Sequence, residues 1–148
     1  MDINTQIKEK LGNRITEWLE HSPRRIYLTV DKESIKDTAS ILFNELGLRL
    51  STATAQDLPE GFEILYHFSF DKTGQFFSVR VFIKGKKNPQ IESIAPILKA
   101  AEWIEREMWE LFGIDFKGHP DLRHLLLSDD WPKDEYPLRK DYKKPYEK

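Results

Sequence analysis

The chain has 148 residues, of which 32% are charged, a formal net charge of −2 and no cysteine. Such a length suits one domain with a sizeable core, and the near-balanced charge gives no general nucleic-acid or anionic-membrane surface. Without thiols, disulfides and the ordinary ligands of iron–sulfur clusters and structural zinc are excluded, and no apolar run reaches the ~20 residues that span a bilayer.

Met1-Asp2-Ile3-Asn4 lacks the pattern of a signal peptide, so the expectation is a soluble cytoplasmic protein that could sit on a membrane complex. Ile3, Ile7 and Leu11 are spaced for a short amphipathic helix that Gly12-Asn13 ends. From Arg14 to His21 the alternation predicts a strand, Ser22-Pro23 turns the chain, and a second strand runs from Arg25 to Val30. Asp31 then stands as N-cap of a helix whose stripe is Ile35, Ala39, Leu42, Phe43 and Leu46, with Gly47 past its end. Three strand-like runs follow, Leu48 to Ala55, Phe62 to Phe70 and Phe76 to Ile83, separated by Pro59-Glu60-Gly61 and by Asp71 to Gly74. The second and third form a hairpin. Lys84-Gly85-Lys86-Lys87 reads as a solvated basic loop, because no Gly-rich turn opens a helix after it.

The longest helical pattern comes next. Ile94, Ile97, Leu98, Ala101, Ile104, Met108, Leu111 and Phe112 recur at three- and four-residue steps, which predicts a helix from Ile94 to Phe112. Ser93 is its N-cap, Pro96 lies in its first turn and Gly113 caps its end. Glu105 falls inside the apolar stripe, so either Arg123 or Arg139 folds back to pair with it, or it reaches solvent at the stripe's edge. Glu102, Arg106 and Glu110 form an i,i+4 ladder on the far face, and Trp103 among them calls for a covering tail or another protein.

This order of elements is α-β-β-α-β-β-β-α, an α+β class: two layers, with a mixed sheet of about five strands and helices on one face. Residues 1–127 make the domain. Beyond it, 128–148 is an extended arm, in which Pro132, Pro137 and Pro145 block helix and Tyr136, Tyr142 and Tyr146 offer contact area. The arm either wanders or lies on a partner, and its aromatics favour the partner.

Two function classes follow from these residues. Glu105, Glu107 and Glu110 lie near His119, Asp121 and His124, the raw material of a stand-alone enzyme with a His/Glu metal or acid–base site. Against it, His119 and His124 are separated by Pro120 and share no helix face, and Arg106 and Arg123 repel a cation. No nucleophile elbow, phosphate loop or dinucleotide fingerprint is present. A non-catalytic subunit of an electron-transfer complex is the other class, since the chain has no thiol to hold a cluster.

Three ordered runs carry a resemblance. They are Ala101-x-Trp103-x-Glu105-Arg106-Glu107, then Leu111-Phe112-Gly113-Ile114-x-Phe116-x-Gly118-His119-Pro120-Asp121-Leu122-Arg123, and then Asp130-Trp131-Pro132 with Pro137-Leu138-Arg139-Lys140-Asp141-Tyr142. The chain closely resembles the "30 kDa" subunit, also called the C-subunit, of proton-pumping NADH-quinone oxidoreductase (respiratory complex I). The same subunit type occurs in energy-converting membrane-bound NiFe hydrogenases and related archaeal complexes. The resemblance implies an α+β fold and a peripheral-arm subunit on the cytoplasmic side of the membrane. Its partners would be the hydrogenase-like large (49 kDa) subunit, the [4Fe-4S] small subunit and other peripheral-arm subunits, with the membrane arm reached indirectly. No cofactor would be bound by this chain; the iron–sulfur clusters would lie in partner subunits. The implied docking surface and its support are Trp103, Glu105, Arg106, Glu107, Gly118, His119, Pro120, Asp121, Arg123, Trp131, Pro137, Leu138, Arg139, Lys140, Asp141 and Tyr142. Met108-Trp109-Glu110 stands where Thr- or Val-Tyr-Asp is frequent in the family, which favours a compact subunit of an archaeal, hydrogenase-like or photosynthetic-type complex. Donor and acceptor are set by other subunits.

Overall fold

A computed structural model describes residues 1–144. Helix α1 (Ile3–Leu11) opens the chain, its Thr5 N–H donating to the Asp2 carboxylate at 2.8 Å, and Ile3, Ile7 and Leu11 are buried. Strands β1 (Ile15–Ser22) and β2 (Arg25–Val30) form an antiparallel hairpin, as the Ser22-Pro23 turn predicts. Strands β3 (Arg49–Leu58), β4 (Gly61–Phe70) and β5 (Gln75–Lys84) complete a five-stranded sheet of order β1-β2-β5-β4-β3. Only β2 and β5 pair in parallel, so the sheet is mixed.

Register explains the core. Ile64 opposes Val81, Tyr66 opposes Val79 and Phe68 opposes Phe77, while Ile26 and Leu28 of β2 continue the same rows through Phe77 and Val79. All are buried, because period-two alternation puts these positions on one face. Helices α1, α2 (Ile35–Ser40) and α3 (Ala101–Phe112) join that cluster through Ile7, Leu11, Ile35, Ala39, Met108 and Phe112. The other face, with Tyr27, His67 and Arg80 partly open to solvent, carries no helix among the described residues. The α+β class, the two layers and the helices on one face follow.

Three local expectations fail. The predicted helix from Ile94 is helical only from Ala101. Residues 93–100 instead form turns, with Leu98 N–H donating to the Ile94 carbonyl at 2.9 Å and Ala101 N–H to the Leu98 carbonyl at 2.9 Å. Ile94 and Leu98 are buried all the same, so consecutive turns imitate the apolar spacing of a helix. Second, Phe43 is exposed, because Ile41–Glu45 is a π turn closed by the Leu46 N–H on the Ile41 carbonyl, and the extra residue rotates Phe43 outward. Asp31, third, caps nothing with its side chain; a 3-10 turn over Lys32–Ser34 comes first. Two strands too short to show a period, β6 (Gln90–Glu92) and β7 (Asp115–Lys117), pair in parallel on either side of α3.

Candidate subunit-docking site around helix α3

Arg106 and Glu110 are one turn apart on the far face of α3, and they are only 7% and 2% exposed. The segment after β7 runs alongside the helix and covers them. Arg106 reads its carbonyls, Nε donating to the Arg123 oxygen at 3.0 Å and a terminal nitrogen to the His124 oxygen at 2.6 Å. Glu110 reads its amides, accepting from Leu125 at 2.9 Å, Leu126 at 2.7 Å and Leu127 at 3.2 Å. Burial pushes the Glu110 pKa up, but these three N–H groups and the His124 ring outweigh it and hold it below the ordinary carboxylate range. His124 Nδ1 donates to the same carboxylate at 3.2 Å and lies 5.3 Å from the Trp109 ring. A guanidinium has only donors and a carboxylate only acceptors, so this pair fixes an irregular loop that has no ladder of its own.

Glu105 is fully buried, and neither arginine reaches it, which corrects the expected ion pair. Arg123 pairs with Asp121 at 2.8 Å and Arg139 Nε donates to the Phe112 carbonyl at 2.6 Å. Ser93 Oγ lies 2.5 Å from Glu105 Oε1, and the Ile94 N–H donates to Oε2 at 3.0 Å. Ser93, expected as a helix cap, therefore serves Glu105 and accepts the Ala95 N–H at 3.0 Å. Desolvation outweighs these bonds and raises the Glu105 pKa to about 7.

His119 Nε2 lies 4.0 Å from Glu105 Oε1, yet it donates to the Glu102 carbonyl at 2.8 Å, and Nδ1 accepts the Asp121 N–H at 3.0 Å. Both nitrogens are thus occupied by backbone in the Nε2–H tautomer. The structure does not unite His119 with His124: one joins Glu102 and Asp121, the other Glu110. Among the described residues no group of three His, Asp or Glu is placed to hold a metal ion.

Pro120 follows His119 in the loop, and Gly118 precedes it with φ of 85°. Trp103 is 67% exposed and Leu126 65% exposed, so the described part of the tail does not cover the tryptophan, and Glu107 is exposed beside it. From Ser128 to Lys144 the chain has no helix or strand and turns back on the domain. Trp131 Nε1 donates to the Glu135 carbonyl at 2.6 Å and its ring meets Tyr142 at 6.3 Å. After Pro137, Leu138 N–H donates to the Leu111 carbonyl at 3.0 Å, and Lys140 N–H to the Asp57 carboxylate at 2.8 Å. Asp141 is exposed. Pro145 and Tyr146 lie outside the described residues.

Gly113 ends α3 at φ 78°, with its N–H on the Trp109 carbonyl. A Cβ there would stand 2.5 Å from the Tyr136 ring and 2.8 Å from the Arg139 guanidinium. Gly113→Ala is expected to cost about 2 kcal/mol from the left-handed backbone and the displaced ring. Trypsin cleavage at Lys133 and Arg139 should accelerate with it; an unchanged cleavage rate and denaturation midpoint would disprove the packing described.

Sequence reasoning missed Asp57 and Glu110 as organising residues. Asp57 was legible in principle: it is third in the row Ala53, Ala55, Asp57, whose partners Tyr66, Ile64 and Phe62 face the core. Glu110 was not, because nothing local shows which loop will cover a helix face.

Buried charge here is spent on holding backbone, while Trp103, Leu126 and Leu138 are left exposed at the edge of a small α+β domain. Its sequence matches the model of the "Respiratory-chain NADH dehydrogenase, 30 Kd subunit" family over residues 28–148, and the chain belongs to that family. It is 36% identical over 143 residues to the NADH-quinone oxidoreductase C-subunit of Chloroherpeton thalassium, covering 93% of this chain and 58% of that one. To the F(420)H(2) dehydrogenase C-subunit of Methanosarcina mazei it is 37% identical over 152 residues, 96% of this chain and 92% of that one. Its fold is similar to a chain in the structure of the membrane-bound sulfane sulfur reductase (MBS), an archaeal respiratory membrane complex. The TM-score is 0.86 at 27% identity, covering 97% of this chain and 85% of that one. No helix among the described residues is long and apolar enough to cross a membrane.

Proposed function

We propose that this chain is a non-catalytic structural subunit in the peripheral arm of a complex I-like, ion-translocating membrane oxidoreductase, on the cytoplasmic side. It docks on the hydrogenase-like large (49 kDa type) subunit, near the [4Fe-4S] small subunit, and holds them in place. The iron–sulfur clusters belong to those partners; this chain contributes no thiol. The observation that carries the reading is the platform on α3. Arg106 and Glu110 fix residues 123–127 from both sides, so Trp103 and Leu126 stand exposed on a rigid support. A rigid aromatic anchor loses little entropy on binding, which suits a permanent interface.

By this reading Trp103 and Glu107 contact the partner, while Glu105, Arg106, Gly118, His119, Pro120, Asp121 and Arg123 build the platform. The arm, residues 128–148, extends the contact through Trp131 and the run from Pro137 to Tyr142. The test is capture of the tagged chain from its own organism in mild detergent, with mass spectrometry and a metal assay. Iron–sulfur and hydrogenase-like subunits are expected in the eluate. Trp103→Ala should weaken capture about thirtyfold, a loss of ~2 kcal/mol, with the melting temperature unchanged. Elution of the wild-type chain alone with a stoichiometric metal would overturn the reading in favour of an independent site. Arg106 is unsuited to this test, because it is buried and holds the loop.

A further inference from the structure

Positive charge gathers at one end of a chain that is otherwise slightly acidic. Lys86 and Lys87 follow β5, and the returning tail sets Arg139 beside both and Lys140 beside Lys86. Their meeting point is Asp57. Its carboxylate pairs with the Lys86 ammonium and accepts the Lys140 backbone N–H. Lys86 Nζ stands 4.7 Å and Arg139 Cζ 5.0 Å from the centre of the Phe62 ring. Asp57 is buried and engaged, so it neutralises one cation at most. Asp141 is the other carboxylate on the recess of about 290 Å³ between these groups, and it is exposed. Burial, and then the charges of Lys140 and Arg139, push the Lys86 pKa below the ordinary lysine value, with Asp141 acting weakly the other way. An incoming anion relieves that crowding.

We propose that this recess seats a carboxylate side chain from an acidic segment of a neighbouring protein subunit. The proposal rests on the subunit reading above and adds the chemistry of one contact. Arg139 is held by Nε on the Phe112 carbonyl and by its guanidinium against the Phe62 and Tyr136 rings, and a planar guanidinium fixed in this way suits a carboxylate. Lys140 meets Asp57 through its backbone N–H, and its ammonium has no carboxylate within hydrogen-bond reach among the described residues. A membrane surface would instead call for long cations on a flat face; here they line a recess with an aromatic wall and admit a single side chain.

The test compares the assembled complex, purified from its organism, with the chain purified alone. Lysines are acetylated with an N-hydroxysuccinimide ester and read by mass spectrometry, and zero-length carbodiimide coupling is run on the complex. Lys86 and Lys140 are expected to react about tenfold more slowly in the complex, and one of them to couple to an Asp or Glu of another subunit. Equal reactivity in both samples, or coupling to Asp57 and Asp141 alone, would overturn the proposal. Lys140→Glu keeps the backbone bond to Asp57 and should weaken capture of the complex about tenfold or more, with Lys140→Arg restoring it. Undiminished capture by Lys140→Glu sinks the recess while the subunit reading stands. Failure of the wild-type chain to capture any oxidoreductase subunit sinks both. Binding of the isolated chain to phosphatidylglycerol vesicles that Lys140→Glu abolishes would assign the cations to lipid, against the proposal.

Discussion

Glu110→Ala is expected to lower the stability of the chain by about 3–5 kcal/mol, the range for removing one partner of a buried charge network. Three amides, those of Leu125, Leu126 and Leu127, lose their acceptor, and the Arg106 guanidinium is left to hold the loop by its carbonyls alone. Glu110→Gln should fall between the two, since its amide nitrogen would face an N–H that needs an acceptor. Urea denaturation gives the magnitude, and hydrogen exchange at residues 125–127 gives the location. A loss below ~1 kcal/mol, with the three amides still protected, would show that the carboxylate does not hold the loop. Because Leu126 is presented by this loop, capture of partner subunits should fall in parallel with the exchange protection.

Glu105 predicts the second large effect, on the pH dependence of stability. In the folded chain its pKa stands at about 7, against an ordinary value of 4.5. The folded state therefore holds a proton that the unfolded state releases between those values. The stabilisation is complete below the unfolded pKa and is lost as pH rises through the folded one, about 2–3 kcal/mol between pH ~5 and pH ~8. His67 acts in the opposite sense, because burial lowers its pKa and favours the neutral ring, so its contribution grows as pH rises. Glu105→Gln separates the two. The glutamine keeps the shape and cannot ionise, so the variant should match the wild type near pH ~5 and exceed its stability near pH ~8. Parallel profiles for the two proteins would mean that Glu105 is charged in the folded state, with the His119 ring at 4.0 Å as the nearest group that could serve as its cation.

Along α3 the reach of sequence reasoning is clearest. Glu105 is buried because 100° per residue places it between Ala101, Met108 and Phe112, and periodicity pointed to that face while leaving a place at its solvent edge open. Which group would answer it was not legible. An arginine was the natural expectation for a charged carboxylate, and the fold supplied a serine, an amide and a raised pKa in its place. For Arg106 and Glu110 the far face was legible but not what would cover it, since no local pattern shows which later segment returns to a helix. The family likeness, by contrast, was fully legible, since it rests on residue order from Ala101 to Tyr142, which no packing detail alters.

Residue order was enough for the alternation that makes five strands, the α+β succession, the exclusion of thiolate chemistry and the membership of a subunit family. Those are local or cumulative properties, and each residue contributes to them wherever the chain goes. Long-range packing was needed to start the helix at Ala101, to bring Ser93 to Glu105, to close Glu110 on three amides and to converge Lys86 and Lys140 on Asp57. Hydrogen bonds and ion pairs between residues far apart in the chain depend on ångström-scale approach, and a sequence pattern fixes direction without fixing distance.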